Sequence, residues 1–197
     1  MPKTKPPSAE RPAIKAAPRA PFPPAMTPQL ATLVAEPPPG AEWLRETKFD
    51  GFRVLCRIER GHATLFTRSG QDWTAHFEPV ASAAAALPVH SAWLDGEVTV
   101  VLRDGRSSFG ALQNRGEPKD GQQLVYFVFD LLHQDGHDLR VLPLQDRKHR
   151  LAALLPSPRP ATGPLRYVDH VEGDAAPPSC AGDSRRWSGR PLPFLPP

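Results

Sequence analysis

One eight-residue stretch of the chain contains the side chains best suited to chemistry. It reads Glu46-Thr-Lys48-Phe-Asp50-Gly51-Phe-Arg53. A lysine amine is a nucleophile once it has lost its proton, and an arginine fork suits phosphate and ribose oxygens. Glycine in the Asp-Gly bend lets the backbone pass close to a bound group. The plainer alternative is a strand, a turn and a second strand that carry two surface cations.

Further blocks follow this stretch in a definite order. They are Phe66-Thr-Arg68-Ser-Gly70, Trp93-Leu-Asp-Gly-Glu97, Tyr126-Phe-Val-Phe-Asp-Leu-Leu132, Pro143-Leu-x-x-Arg-Lys148 and Tyr167-x-Asp-His-Val171. The whole series resembles the covalent nucleotidyltransferase superfamily of ATP-dependent DNA ligases, RNA ligases and mRNA capping enzymes. The later blocks are most similar to the ligase domain of LigD-like bacterial end-joining ligases. The resemblance covers Met26 to Gly173.

The resemblance implies a reaction centred on Lys48. Its amine would attack the α-phosphorus of ATP, expel pyrophosphate and form a lysyl-AMP, and the AMP would then pass to a 5′-phosphate at a DNA break. Because an ammonium is not a nucleophile, we expect burial and nearby cations to disfavour the charged form of Lys48. The implied cofactors are ATP and Mg²⁺ or Mn²⁺, since the charge of the triphosphate must be neutralised.

The resemblance also implies a nucleotide pocket. Arg53 and Arg68 would contact the nucleotide or, later, the nick phosphate. Glu97 would lie near the ribose and hold the metal. Phe129 would stack on adenine, and Glu46 would lie at the edge of the base. The alternatives are solvated strand charges for the arginines, an arginine partner for Glu97 and a place in the core for Phe129.

Other catalytic classes find little support in the sequence. Asp50 and Asp130 are expected to support the pocket without being ligands. The seven histidines have no serine or cysteine partner at a diagnostic spacing, and no P-loop motif is present. The implied partners are ATP, nicked or broken double-stranded DNA and end-joining proteins. The sequence has no run of about 18 apolar residues, so it predicts no membrane span. We expect a cytoplasmic, nucleoid-associated protein.

Proline divides the 197 residues into three parts. Residues 1–39 hold 12 of the 26 prolines, residues 40–155 hold 4, and the remainder hold 10. The middle part can therefore form a continuous core. We predict a disordered Pro/Ala/basic tail over residues 1–25, a domain over 26–173 and an aberrant, disordered tail over 174–197.

The middle part predicts an α+β domain of about six strands and three helices. By the resemblance it would be an ATP-grasp-like nucleotidyltransferase domain, with mixed, mainly antiparallel sheets and flanking helices. The principal predicted strands are Trp43–Thr47, Gly51–Ile58, Ala63–Thr67, Ser91–Leu102 (broken at Asp95-Gly96) and Leu124–Leu132. The predicted helices are Ala75–Leu87 (capped by Thr74), a short one through Phe109–Gln113, and Asp146–Leu155.

The family pattern stops soon after Gly173. A strand with a metal-binding glutamate, a Lys-x-Lys strand and an oligonucleotide-binding (OB) domain would be expected next, and this sequence does not show them. We therefore expect weak metal binding and slow pyrophosphate departure, and a truncation or reading-frame slip near residue 175 would explain the change. An RNA ligase or capping-type enzyme, and a non-catalytic remnant that binds nucleotide or DNA weakly, remain alternatives.

Overall fold

The computed structural model describes residues 17–30, 40, 43–113, 121–156 and 163–173, together with the backbone of Trp187–Pro191. The strands are β1 Trp43–Thr47, β2 Phe52–Glu59, β3 His62–Thr67, β4 Ser91–Val101, β5 Ser107–Ser108, β6 Gln123–Gln134, β7 His137–Asp138, β8 Leu165–Tyr167, β9 His170–Glu172 and β10 Trp187–Pro191. The α-helices are α1 Glu78–Ala85, α2 Phe109–Gln113 and α3 Leu144–Leu154.

The larger sheet has seven strands and is built around β4 and β6. Its order is β3-β2-β4-β6-β7, with β5 added to β4 and β8 added to β6. All pairs are antiparallel except β6 with β8, which confirms the expected mixed, mainly antiparallel α+β architecture. β4 and β6 are rich in apolar residues and are buried along almost their whole length, as is expected of central strands.

The expected break at Asp95-Gly96 is a change of register within a continuous strand. β4 runs unbroken from Ser91 to Val101, and its pairing with β6 shifts after Trp93 and again after Asp95. A Cβ atom on Gly96 would lie 2.4 Å from Cε2 of Tyr126, so glycine is required where the two strands approach.

The smaller sheet has the order β10-β1-β9, with both pairs antiparallel. Its edge strand β10 lies within residues 174–197, the predicted C-terminal tail. The expectation rested on proline, but Pro191 ends an edge strand, where proline is tolerated. Residues 174–186 and 192–197 lie outside the described residues.

The core fills the space between the larger sheet and helices α1 and α3. Small residues of α1, including Ala81 and Ala84, bring that helix close to the sheet. Leu151 and Leu154 of α3 are buried in the same core. Among the described residues, no helix is long and apolar enough to cross a membrane.

The three predicted helices exist; α2 has the predicted boundaries, and α1 and α3 differ from the prediction. A 3-10 turn at Thr74–Phe77 precedes α1, which begins only at Glu78. Thr74 does not cap it, because its hydroxyl bonds Asp72 and the Leu65 amide. Ser108 Oγ accepts a hydrogen bond from the Ala111 amide at 3.2 Å and caps α2. Helix α3 begins at Leu144, directly after Pro143.

The described part of the predicted N-terminal tail is bound to the larger sheet. The amide of Ala20 donates to the Gly136 carbonyl at 2.9 Å, and the indole of Trp93 donates to the Pro23 carbonyl at 3.0 Å. The Phe22 ring lies 5.1 Å from the His133 ring. Residues 17–25 of the predicted tail thus contact the larger sheet, whereas residues 1–16 lie outside the described residues. We call residues 17–30 the N-terminal strap.

Candidate functional site

Lys48 immediately follows β1 and leaves the sheet toward solvent. Its Nζ donates to Asp50 Oδ1 at 3.0 Å, and its side chain is 35% exposed. Between them, Phe49 is buried and stacks on Phe127, with ring centroids 3.7 Å apart. The expected burial of Lys48 among cations is not found, because the strand turns outward here and the ion pair of Lys48 is with a carboxylate.

The bend at Asp50-Gly51 is pressed against β4. Thr99 Oγ1 donates to the Asp50 carbonyl at 2.8 Å, and the Gly51 amide donates to Glu97 Oε1 at 2.9 Å. A Cβ atom on Gly51 would lie 2.1 Å from the Val98 carbonyl oxygen. Glycine is therefore required by close approach, and the bend holds Lys48 at a defined distance from β4.

Glu97 lies beside this bend, half-buried, and is paired in register with Arg53. Burial raises the pKa of the Glu97 carboxyl, whereas the charge of Lys48, the Gly51 hydrogen bond and the charge of Arg53 lower it; Asp50 adds a smaller effect that raises it. The net pKa lies above the ordinary glutamate value. Glu97 thus connects Lys48 and Arg53 electrostatically.

Arg53 is held mainly by Asp95 and the Phe129 ring, and its Nη2 also donates to the Gln29 carbonyl at 3.4 Å. Its guanidinium makes a bidentate ion pair with Asp95, at 2.5 and 2.6 Å, and its Cζ lies 4.5 Å from the centroid of the Phe129 ring. Burial opposes the charged form, but the hydrogen bonds and charge of Asp95 outweigh it, so the Arg53 pKa is raised. The arginine is therefore not the solvated strand charge of the alternative interpretation.

Asp95 was missed as a functional residue by the sequence analysis. Its carboxylate is 1% exposed, so it requires a cation or several donors. The signal was available: an aspartate in an apolar strand, one residue before the glycine of the Asp-Gly-Glu block. Its partner could not be read from the sequence, because Arg53 lies 42 residues earlier.

Arg68 lies at the same end of the β2–β3 ladder as Arg53. The register pairs Thr67 with Val54, so Arg68 comes directly after the last pair, opposite Arg53. Arg68 is exposed and lies in a turn. The two predicted nucleotide-binding arginines therefore lie across from each other at one end of the paired strands β2 and β3.

Phe129 belongs both to the core and to the site. The ring is 8% exposed and joins a small apolar cluster with Phe49 and Phe127. Arg53 lies over the ring. A place in the core and a role in stacking on the base are therefore compatible for Phe129, because packing in the core holds the ring in a fixed position.

Glu46 is buried, at 5% exposed, and pairs with a residue that the sequence analysis had not assigned a role. Its Oε1 accepts from Nζ of Lys148, which is fully buried. Lys148 also donates to the carbonyls of Phe129 and Val168, at 3.3 and 3.1 Å. The lysine was visible as the last residue of the Pro143–Lys148 block, but its partner lies 102 residues away.

The two supporting carboxylates differ in role. Asp130 is buried and pairs with Arg147 at 2.8 and 3.1 Å, which anchors α3 to β6 away from Lys48. Asp50 instead contacts Lys48 directly. Asp130 is thus a structural residue, and Asp50 belongs to the site.

The described residues could hold a magnesium ion only if a bound nucleotide supplied further oxygen ligands. Among the described residues, no group of three histidine, cysteine or acidic side chains could hold a metal. Glu97 offers one carboxylate next to the Lys48 amine. Since Mg²⁺ in such sites takes one or two carboxylates and fills its shell with water and phosphate oxygens, this donor set is compatible with it.

Comparison with known proteins identifies the family. A family model described as "ATP dependent DNA ligase domain" matches residues 28–174. The chain belongs to this family. The match confirms the resemblance drawn from the Lys48 stretch and the later blocks, and it places all predicted site residues of the ligase domain within the matched region.

Curated relatives agree with this assignment. The chain is 45% identical over 137 residues to the multifunctional non-homologous end joining protein LigD of Pseudomonas aeruginosa, covering 70% of this chain and 16% of that protein. It is 31% identical over 150 residues to the bifunctional non-homologous end joining protein LigD of Bacillus subtilis, covering 69% of this chain and 24% of that protein. The aligned part of this chain thus spans less than a quarter of the length of these relatives.

Solved structures confirm the fold. A mycobacterial DNA ligase D complexed with ATP and MES matches with a TM-score of 0.55 and 30% identity, covering 79% of this chain and 47% of that chain. The ligase domain of LigD from M. tuberculosis matches with a TM-score of 0.53 and 32% identity, covering 67% and 42%.

Proposed function

We propose that this chain carries the nucleotidyl-transfer step of an ATP-dependent DNA ligase that acts in end joining. The observation that carries the proposal is the position of Glu97, whose charge acts on both Lys48 and Arg53 while its Oε1 accepts from the bend between them. An amine, a carboxylate and a guanidinium that covers an aromatic ring are the groups needed to hold a purine nucleotide beside a nucleophile.

In the proposed step, Lys48 Nζ attacks the α-phosphorus of ATP. The Nζ–P bond forms, the bond from the α-phosphorus to the bridging oxygen breaks, and pyrophosphate leaves with that electron pair. Before the attack the ammonium gives up a proton, and the Asp50 carboxylate at 3.0 Å is the nearest acceptor shown. The exposed position of Lys48 also lets water receive this proton.

The other site residues would bind and orient the nucleotide. Phe129 offers a flat ring for the base, and Lys148 bonds both Glu46 and the backbone carbonyl of Phe129. Arg53 and Arg68, neighbours at one end of the β2–β3 ladder, suit the phosphates or ribose. A Mg²⁺ or Mn²⁺ ion bound with the nucleotide would neutralise phosphate charge, and Glu97 would hold it.

The second substrate in this proposal is a nicked or broken DNA duplex whose 5′-phosphate receives the AMP. The support comes from the names of the relatives, which are end-joining proteins. Other end-joining proteins would then be its partners, and it would act on the nucleoid in the cytoplasm.

The test uses ATP labelled at different phosphates. With Mg²⁺, α-labelled ATP should slowly give a covalent protein adduct, and γ-labelled ATP should give none, because pyrophosphate leaves. Lys48→Arg is the matched control, since it keeps a cation for Asp50 but does not deprotonate near neutral pH. Equal labelling of this variant would contradict the proposal. Preferential labelling by GTP would favour a capping-type enzyme instead.

A further inference from the structure

Helix α3 buries two consecutive cations in its contact with the larger sheet. Arg147 is 6% exposed and Lys148 is 0% exposed. A buried charge is costly unless it is paired and its donors are satisfied. Arg147 is paired with Asp130 and donates to the Leu142 carbonyl at 2.7 Å. These contacts join α3 to β6 and to the residues just before the helix. Lys148 has different partners.

The ammonium of Lys148 joins three separate parts of the fold. Its three donors have three acceptors: Glu46 Oε1, the Phe129 carbonyl and the Val168 carbonyl. Its Nζ also lies 5.0 Å from the centroid of the Tyr167 ring. Glu46 lies in β1 of the smaller sheet and Phe129 in β6 of the larger sheet. One nitrogen therefore links the two sheets at this point.

We propose that Lys148 is a positioning residue that sets the choice of purine base. The inference rests on the proposed function, in which Phe129 carries the face of the base and Glu46 its edge. Lys148 bonds one carboxylate oxygen of Glu46 and the backbone of Phe129, so it fixes the edge contact relative to the ring.

This arrangement favours adenine on chemical grounds. With one oxygen of Glu46 tied to Lys148, the carboxylate presents its second oxygen in a set direction. That oxygen accepts a hydrogen bond from the exocyclic amine of adenine, whereas guanine carries a carbonyl oxygen at the same position, which the carboxylate repels. Without Lys148, Glu46 loses its orientation and the discrimination weakens.

The experiment compares Lys148→Met with Arg147→Met. Both variants remove a buried cation of α3, but only the first removes a contact to Glu46 and Phe129. Dissociation constants for ATP and GTP are measured by calorimetry, with Lys48→Ala in every protein so that bound nucleotide is not consumed. Thermal melts report the stability lost by each variant.

We expect Lys148→Met to raise the dissociation constant for ATP about tenfold and to leave that for GTP nearly unchanged, so that the preference for ATP falls. Arg147→Met should lower the melting temperature and keep the preference. Equal ATP-to-GTP ratios in the two variants would overturn the proposal and assign Lys148 a structural role only.

A second variant keeps the test decisive if Lys148→Met does not fold. Lys148→Met/Glu46→Gln removes both charges together and avoids an unpaired buried carboxylate. The proposal requires a lost ATP preference in this protein too, and a retained preference would refute it. Failure of the proposed function is a separate result, since it would show as absent labelling of the protein with Lys48 and Lys148 both intact.

Discussion

The guanidinium carbon of Arg53 lies 4.5 Å from the centroid of the Phe129 ring, and the same guanidinium is paired with Asp95. One face of the ring is thus covered by a cation that the proposed function assigns to the nucleotide. A base that stacks on Phe129 must share this ring with Arg53 or take its place.

Replacement of Phe129 by alanine should weaken nucleotide binding. Loss of one base–aromatic stacking contact costs about 1–3 kcal/mol, so the ATP concentration at half-maximal labelling should rise about 5- to 150-fold. Phe129→Tyr keeps the ring and is the control. If the alanine variant is saturated at the same ATP concentration as the tyrosine variant, the base does not stack on this side chain.

Gly51→Ala should destabilise the protein and misplace Lys48. The new Cβ would lie 2.1 Å from the Val98 carbonyl oxygen, and the strain should lower the free energy of unfolding by roughly 1–3 kcal/mol. Gly110→Ala, in helix α2, meets nothing within 4 Å and should raise it by about 0.5–1 kcal/mol. Denaturant titration measures both changes, and equal effects would show that the bend is not under this constraint.

The N-terminal strap should contribute measurable stability through Phe22. Its ring packs on Trp93 and lies under the guanidinium of Arg57. Because Phe22 is half-buried, Phe22→Ala should cost roughly 1–3 kcal/mol, less than a fully buried phenylalanine. Leu30→Ala is the control: this side chain is 63% exposed, and its loss should change stability by no more than about 0.5 kcal/mol.

Fluorescence gives a second readout of the strap. Trp93 is 1% exposed and its indole is bonded to the Pro23 carbonyl. Phe22→Ala should let water reach the indole and shift the emission to longer wavelength. An unshifted spectrum together with unchanged stability would show that the strap is not bound in solution.

Acid should destabilise the fold through His133. Burial lowers the pKa of this histidine below its ordinary value of 6.5, and its Nδ1 has no hydrogen-bond partner among the described residues. The unfolded chain therefore binds more protons than the folded chain below pH 6.5, and the free energy of unfolding should fall as the pH falls from that value toward the lowered pKa.

The matched variants for this pH effect are His133→Gln and His62→Gln. His62 is exposed on β3, so its replacement should leave the slope unchanged, whereas His133→Gln should make it shallower. His170, whose pKa is also lowered by burial, is present in both proteins and cancels in the comparison. Equal slopes would contradict the assignment to His133.

Local pattern was sufficient for much of the fold. Strand β1 has the predicted boundaries, and the charges of Lys48 and Arg53 both act on Glu97. The surroundings of Lys48 could not be predicted, because they depend on where the chain turns after β1. The pairs Arg53–Asp95 and Glu46–Lys148 depend on sheet register and helix docking across 42 and 102 residues.

The contacts of the N-terminal strap could not be predicted, for a different physical reason. A proline-rich segment buries little surface by itself, which predicts disorder. This segment instead uses one aromatic side chain and a few backbone bonds on a sheet that is already formed. The cost of ordering it is reduced because proline restricts the unfolded chain.

The most direct test of the central claim is to locate the AMP. The chain is incubated with ATP and Mg²⁺, digested, and analysed by tandem mass spectrometry for a peptide that carries one added AMP. The account predicts this addition on Lys48, reversal by excess pyrophosphate, and its loss in Lys48→Arg. An adduct on another side chain, or no adduct on a chain that binds ATP, would contradict it.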